Sequence, residues 1–199
     1  MKLNRFYRTL GGVPRWSIVR LTRQQNVLEH TALVAMYAYD IAQIIDYDGD
    51  IGELLVQCLQ HDLPEVETGD LPSPVKSAIS NKSAIGEYED DIMRRRFDVH
   101  TGAVDAKMHE ILKVADLLEG VLKLTEELTC GNRAVLAVLS SLTSLLFERV
   151  AKMEISEEKR DKLQAAVEVA IYDEVEGYDG IRSGVESEGM RFWAKLLQS

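Results

Sequence analysis

Residues 60–76, QHDLPEVETGDLPSPVK, gather His61, Asp62, Glu65, Glu67 and Asp70 into ten positions and close with Pro72, Pro74 and Lys76. An apolar run over 51–59 leads into them. A helix that ends by delivering an imidazole and several carboxylates to one place is the simplest way to build a metal-centred hydrolytic site. His61 and Asp62, being adjacent, leave a helix about 100° apart and converge only on something above the helix end. Glu65, four residues after His61, shares its face. Imidazole nitrogen with carboxylate oxygen suits zinc, manganese, iron or cobalt better than calcium. The plainer reading is a polar helix end running into a surface loop, and a His-Asp dipeptide alone is a weak signal.

Two other stretches carry a polar residue where the periodicity asks for an apolar one. His30 lies on the stripe Val27, Leu33, Val34, Tyr37, Ala38, Ile41 of a helix opened by Asn26, with Glu29 three residues on in a capping-box pattern. Asp116 sits inside KVADLLEGVLKL, apolar nearly all round. An ionised carboxylate buried there without a partner is costly, so it turns to solvent or meets a cation. Lys113 or Arg20 could be that cation, and His30 taken alone could be a satisfied core histidine. His30, then His61-Asp62, then Asp116 on three core helices is harder to explain one residue at a time.

That order resembles the signature of HD-domain metal phosphohydrolases. Longer segments narrow the resemblance: RWSIVR, QNVLEHT, HDLPEVETGDLPSPVK and KVADLLEGVLKLTEELTCGN are similar to segments of the bacterial 5′-deoxynucleotidases and of related phage enzymes that strip triphosphate from dATP. The similarity covers residues 1–133, about the first two-thirds of the chain. It implies a metal-dependent phosphohydrolase acting on the 5′ phosphate of 2′-deoxynucleotides. His30, His61, Asp62 and Asp116 would bind a divalent cobalt, manganese or zinc, with additional magnesium at the phosphates. Glu65 would position or deprotonate the attacking water. Asp70 would contact sugar or phosphate and relay a proton. Arg15 would hold phosphate, Trp16 would pack on the deoxyribose and exclude a 2′-hydroxyl, and Lys76 would make a second phosphate contact. Ile18 is similar to an apolar residue that, in the phage enzymes, disfavours a purine 2-amino group. The number of phosphates released stays open, because the PVK ending is shared by both groups. A homo-oligomer, dimer or larger, is expected, through the face of residues 135–147. The rivals are a non-catalytic helical scaffold that keeps the fold and a cyclic-dinucleotide phosphodiesterase, whose longer motif is missing.

The 199 residues carry a net charge of −10, with 46% hydrophobic and 28% charged side chains. Phosphate binding along a polymer rests on Lys and Arg, so polymeric nucleic acid is not the expected partner. A small nucleotide held locally is. No bilayer-length apolar run is evident and the N-terminus lacks the apolar core of a secretion signal, so no membrane partner and a cytoplasmic location are expected. Cys58 and Cys130 lie in or beside apolar runs and read as buried free thiols.

Sustained period-2 alternation is missing and period-3.6 patterns recur, which predicts one all-α domain over 1–199: a helical bundle of the HD type, with the site in residues 1–133 and supporting helices in 133–199. Expected helices cover 4–10, 26–45, 51–63, 75–97, 104–128, 133–152 and 157–176. Residues 13–25 form an ordered connector bearing Arg15, Arg20 and Arg23, and the run EYEDDIMRRR forms a solvated face with i,i+4 pairs. In the glycine-rich tail, Phe192 and Trp193 are expected to dock.

Overall fold

The computed structural model describes residues 4–72, 82–98 and 105–179. Among them the regular elements are helical, and the antiparallel bridge between Pro14 and Asn26 stands alone, so the fold is all-α as expected. The α-helices are α1 (Val27–Ile44), α2 (Ile51–Gln60), the single turn α3 (Glu65–Thr68), α4 (Lys82–Ile92), α5 (Ala106–Thr129), α6 (Leu136–Lys152) and α7 (Glu157–Asp179). The three that carry the candidate site begin on side-chain caps. Asn26 accepts from the Glu29 N–H at 2.9 Å, Asp50 from Glu53 at 3.0 Å and Asp105 from Met108 at 3.0 Å. Each cap satisfies an amide that the first turn leaves without a partner. The capping box of α1 is only half made, because the Glu29 carboxylate turns to Arg23 instead.

Helix α5 is central, packed by α1 and α2 and by α6 and α7. Its Ile111, Val114, Ala115, Val121 and Leu124 are wholly buried. Burying a large aliphatic side chain contributes about 1.5–3 kcal/mol, which makes this helix the spine on which the others are placed. A smaller apolar cluster of Leu10, Val13, Val27, Leu63, Ile92, Met93 and Phe97 closes the end where the chain enters α1.

Several boundaries differ from expectation for local reasons. The helix expected over 51–63 ends at Gln60, and residues 61–64 form a turn in which the Leu63 N–H bonds the Gln60 carbonyl. Pro64 has no N–H with which to continue the helical ladder. The first helix is a 3₁₀ helix over Arg5–Gly12 that includes both glycines. Lys82–Ile92 runs on into a π turn, Met93–Phe97, while residues 75–81 of that expected helix lie outside the described residues. A 3₁₀ turn, Arg133–Val135, precedes α6. Cys58 is buried but Cys130 is exposed, contrary to expectation, because it caps the end of α5 where the chain turns outward. The run ending in three arginines is more than a solvated face. Arg95 pairs with Asp91 at 2.5 Å as expected, yet Arg95 and Arg96 also reach Glu67 and tie this segment to α3. Arg133–Lys152 is long and apolar enough by length and composition to cross a bilayer, which the sequence reading passed over. In the fold its Leu139, Leu146 and Val150 are buried in the main core. Phe192 and Trp193 lie outside the described residues.

The connector is pinned at both ends. At its base, Arg15 N–H bonds the Gln25 carbonyl and Val27 N–H bonds that of Val13. At its far end the Glu127 carboxylate of α5, 1% exposed, accepts from Thr22 N–H at 2.6 Å, the Thr22 hydroxyl at 2.9 Å, Arg23 N–H at 3.2 Å, Lys123 at 3.0 Å and Asn132 at 2.9 Å. Burial alone would raise its pKa. The bonds from Thr22, Asn132, Arg23 and Lys123 reverse that and bring it from 4.5 to about 2. A carboxyl with a depressed folded pKa stabilises the fold above its unfolded value and stops doing so as pH falls through the folded one. Glu127→Gln, which keeps the volume, is expected to be less stable than the parent by on the order of 3 kcal/mol at pH 7. The gap should close as pH falls from 4.5 toward 2. Urea midpoints at several pH values measure it, and a gap that ignores pH would mean the charge is not the anchor.

Candidate metal centre

The bottom of the connector, the turn after α2 and the faces of α1 and α5 meet at one place. His30, wholly buried on α1, and His61, at the end of α2, have ring centroids 5.4 Å apart. One donor atom from each of His30, His61 and Asp62 falls within 4.8 Å of the others. Asp62 Oδ2 is 3.5 Å from His30 Nε2 and 3.3 Å from His61 Nε2. Asp116 joins from α5, with Oδ1 3.2 Å from His30 Nε2 and Oδ2 3.6 Å from Lys113. The ordinary lysine partner open to Asp116 is therefore present, on the oxygen other than the one nearest His30.

Both rings are fixed through Nδ1. His61 Nδ1 bonds the Cys58 carbonyl at 2.7 Å, and His30 Nδ1 bonds Glu119 Oε2 at 2.5 Å. Each acceptor demands a hydrogen on Nδ1, which leaves Nε2 to face the carboxylates. Both Nε2 atoms are buried and make no well-aligned hydrogen bond. Two buried imidazole nitrogens without bonds, aimed at carboxylate oxygens and oriented by acceptors behind them, form the donor set of a first-row divalent ion, so the residues fit such a metal.

The electrostatics agree. Burial works against charge on His30, yet the Asp116 carboxylate facing Nε2 and the Glu119 carboxylate at Nδ1 outweigh it and raise its pKa to about 9, so Nε2 takes a proton unless a metal ion displaces it. Burial dominates at His61 and lowers its pKa, keeping that ring neutral. Asp116 is held well below the usual carboxylate range: burial opposes this, and the His30 bond with the neighbouring His61 and Lys113 prevails. Asp62 is lowered likewise, against burial, by His61, His30 and Arg15. Burial and Asp116 push the Cys58 thiol up to about 12, so it is inert beside the site.

Arg15 bonds Asp62 Oδ2 through Nη1 at 2.9 Å, while its buried Nε has no partner among the described residues. Trp16 adopts a left-handed backbone, φ 63°, that costs a non-glycine residue about 1–2 kcal/mol. Asp70 Oδ2 accepts its N–H at 2.8 Å, and Gln25 Oε1 accepts its indole N–H at 3.0 Å. The indole lies over Gly120, where an added Cβ would stand 3.5 Å from Trp16 Cη2. Glu65 is 4% exposed and opens α3, one turn beyond His61. Ile18 follows in the connector at 67% exposed, and Lys76 lies outside the described residues. Glu119, Gln25 and Glu127 were not found from the sequence. Glu119 stands three residues after Asp116, on the same helix face, and that spacing was the available signal.

The family described as 5′-deoxynucleotidase YfbR-like matches residues 3–159. The chain is 33% identical over 157 residues to a 5′-deoxynucleotidase of Cronobacter sakazakii, covering 69% of this chain and 78% of that one. It is 31% identical over 172 residues to the 5′-deoxynucleotidase YfbR of Escherichia coli, covering 75% and 85%. Among solved structures, the HD phosphohydrolase DatZ of cyanophage S-2L, bound to dA and one catalytic Zn2+ ion, superposes with a TM-score of 0.70 at 21% identity over 87% of this chain and 98% of that one. An HD-domain phosphohydrolase of Listeria innocua does so at 0.71 and 15% identity, over 98% and 94%. At such identities the structural likeness speaks for the fold.

Removing Asp62 takes away the oxygen on which both imidazoles and Arg15 converge. Asp62→Ala, dialysed and analysed for metal, is expected to retain little or none of the divalent ion that the parent binds. Full metal content in this variant would show that the cluster is not the binding site.

Proposed function

The chain belongs to the YfbR-like 5′-deoxynucleotidase family, and from that premise we propose that it hydrolyses 2′-deoxynucleoside 5′-monophosphates to the deoxynucleoside and inorganic phosphate. That it is a deoxynucleotide 5′-phosphohydrolase of the HD class follows from the family and the fold together. The monophosphate is favoured over the triphosphate because the relatives above 30% identity carry the 5′-deoxynucleotidase name. The observation that carries the reading is the pair of buried imidazoles with bare Nε2 atoms turned toward Asp62 and Asp116.

His30, His61, Asp62 and Asp116 would hold the divalent ion, with zinc, manganese or cobalt suited to this donor set. When bound, such an ion lowers the pKa of water and neutralises charge on phosphoryl oxygens. The protein's own groups do the rest. Arg15, fixed by Asp62, keeps guanidinium donors for phosphate oxygens. Glu65 orients the attacking water and takes its proton. Asp70, already holding the Trp16 amide, stands beside the sugar and passes a proton toward the leaving 5′ oxygen. Trp16 forms the wall that rejects a 2′-hydroxyl. Lys76 and Ile18 keep the roles of phosphate and base contacts. We place the enzyme in the cytoplasm as a homo-oligomer. Val135, just before α6, and Leu139 and Leu146 within it belong to the core, so a partner would meet the other side, where Leu145 is 45% exposed. Sedimentation at the monomer mass would refute the oligomer.

Incubation of the metal-loaded protein with dAMP and with dATP tests the reaction. Inorganic phosphate from dAMP is expected, and tripolyphosphate from dATP with dAMP untouched would reverse the substrate assignment. Glu65→Gln is expected to keep the metal and lose about 10²–10⁴-fold in kcat. A near-parental rate would mean that another group handles the water.

A further inference from the structure

The indole of Trp16 and the imidazole of His30 are joined by an unbroken buried chain. Trp16 Nε1–H donates to Gln25 Oε1 at 3.0 Å, Gln25 Nε2–H donates to Glu119 Oε1 at 2.5 Å, and the other Glu119 oxygen, Oε2, accepts from His30 Nδ1–H at 2.5 Å. Gln25 is 1% exposed, Glu119 2% and His30 wholly buried. The direction of every bond is set by chemistry. An indole nitrogen only donates and a carboxylate only accepts, so the amide between them has one workable orientation. Flipped, it would set its oxygen against a carboxylate and its NH₂ against an indole N–H.

We propose that Gln25 and Glu119 are positioning residues that make the sugar wall and the metal ligand one mechanical unit: Glu119 fixes His30 with one oxygen and, through Gln25, holds the Trp16 indole with the other. The inference rests on the reading of Trp16 as the wall against a 2′-hydroxyl. A steric wall rejects an added oxygen only if it cannot swing away. Trp16 has a strained backbone and is only partly buried, so packing alone does not hold it. Its backbone is tied by Asp70 and its ring by Gln25. Anything that shifts His30 moves Glu119 and so shifts the tether. Sugar selection therefore depends on two residues that touch neither sugar nor metal.

Two readouts test this. The chain has two tryptophans, so a Trp193→Phe background leaves Trp16 as the sole tryptophan, excited selectively at the red edge where the seven tyrosines do not absorb. In that background, titrating the metal-free protein with Zn2+ is expected to shift the Trp16 emission. Adding Gln25→Leu should abolish the shift while a competing chelator still reports Zn2+ binding. The same variant should lower the dAMP-to-AMP ratio of kcat/KM about tenfold, the effect of freeing one tethered group. Gln25→Met serves where Gln25→Leu does not fold. Trp16→Ala sets the scale for the ratio. If Trp16→Ala collapses the ratio and the Gln25 variants leave both ratio and emission response intact, the tether is wrong and the wall stands. If Trp16→Ala leaves the ratio unchanged, the wall is wrong and its coupling to selectivity falls with it. An emission shift that survives Gln25→Leu overturns the mechanical link whatever the ratio does.

Discussion

Two buried imidazoles whose hydrogens are fixed on Nδ1 set the terms for everything around them. The Cys58 carbonyl and the Glu119 carboxylate claim those hydrogens, so the opposite nitrogens face inward, toward Asp62 and Asp116. Bare nitrogens at zero or near-zero exposure are unfavourable unless something completes them. The carboxylates of Asp62 and Asp116, brought from a turn and from the central helix, would share a bound cation with those nitrogens. The apolar packing of α5 against α1 and α2 thus encloses a polar cluster suited to a positive charge at its middle.

Much of this was legible in the residues. His30, His61-Asp62 and Asp116 each interrupt an apolar stripe, and an interruption is visible because the period around it is strong. The cap at Asn26 was visible for the same reason, as a polar residue just ahead of an apolar run. Glu119 and Glu127 were not. They lie on a helix apolar nearly all round, but acidic residues near a helix end or beside other polar positions read as its wet side. Only tertiary contact shows that the wet side of α5 faces the connector. Gln25 was invisible because a loop glutamine has no period to violate. Cys130 misled in the opposite way: an apolar neighbourhood in sequence became a solvent-facing turn once Gly131 redirected the chain with φ 89°.

The connector explains why a strained residue can persist at the site. A left-handed tryptophan is unfavourable, and it is held because the bridge and the Glu127 bonds fix both ends of the loop that carries it. The strain is local and the restraint is distributed over several bonds. Loosening Glu127 would release the loop as a whole, while loosening Gln25 would release the ring alone. The anchor of the loop and the tether of the indole are therefore different carboxylates of the same helix.

Charge gives the last constraint. The chain is acidic, at −10, and Arg15 feels Asp62, Asp116, Glu119 and Asp70 together. A phosphate dianion approaching four carboxylates meets repulsion that one guanidinium, already bonded to Asp62, does not balance. In the proposed site a bound cation would remove the negative excess of its ligands and so favour phosphate binding. Arg15 follows from the same logic. While its Nη1 is bonded to Asp62, its remaining donors would be free for the phosphate, so in the proposed site one side chain would serve both a metal ligand and the substrate. Lysine, with a single charged tip, could not occupy both positions at once.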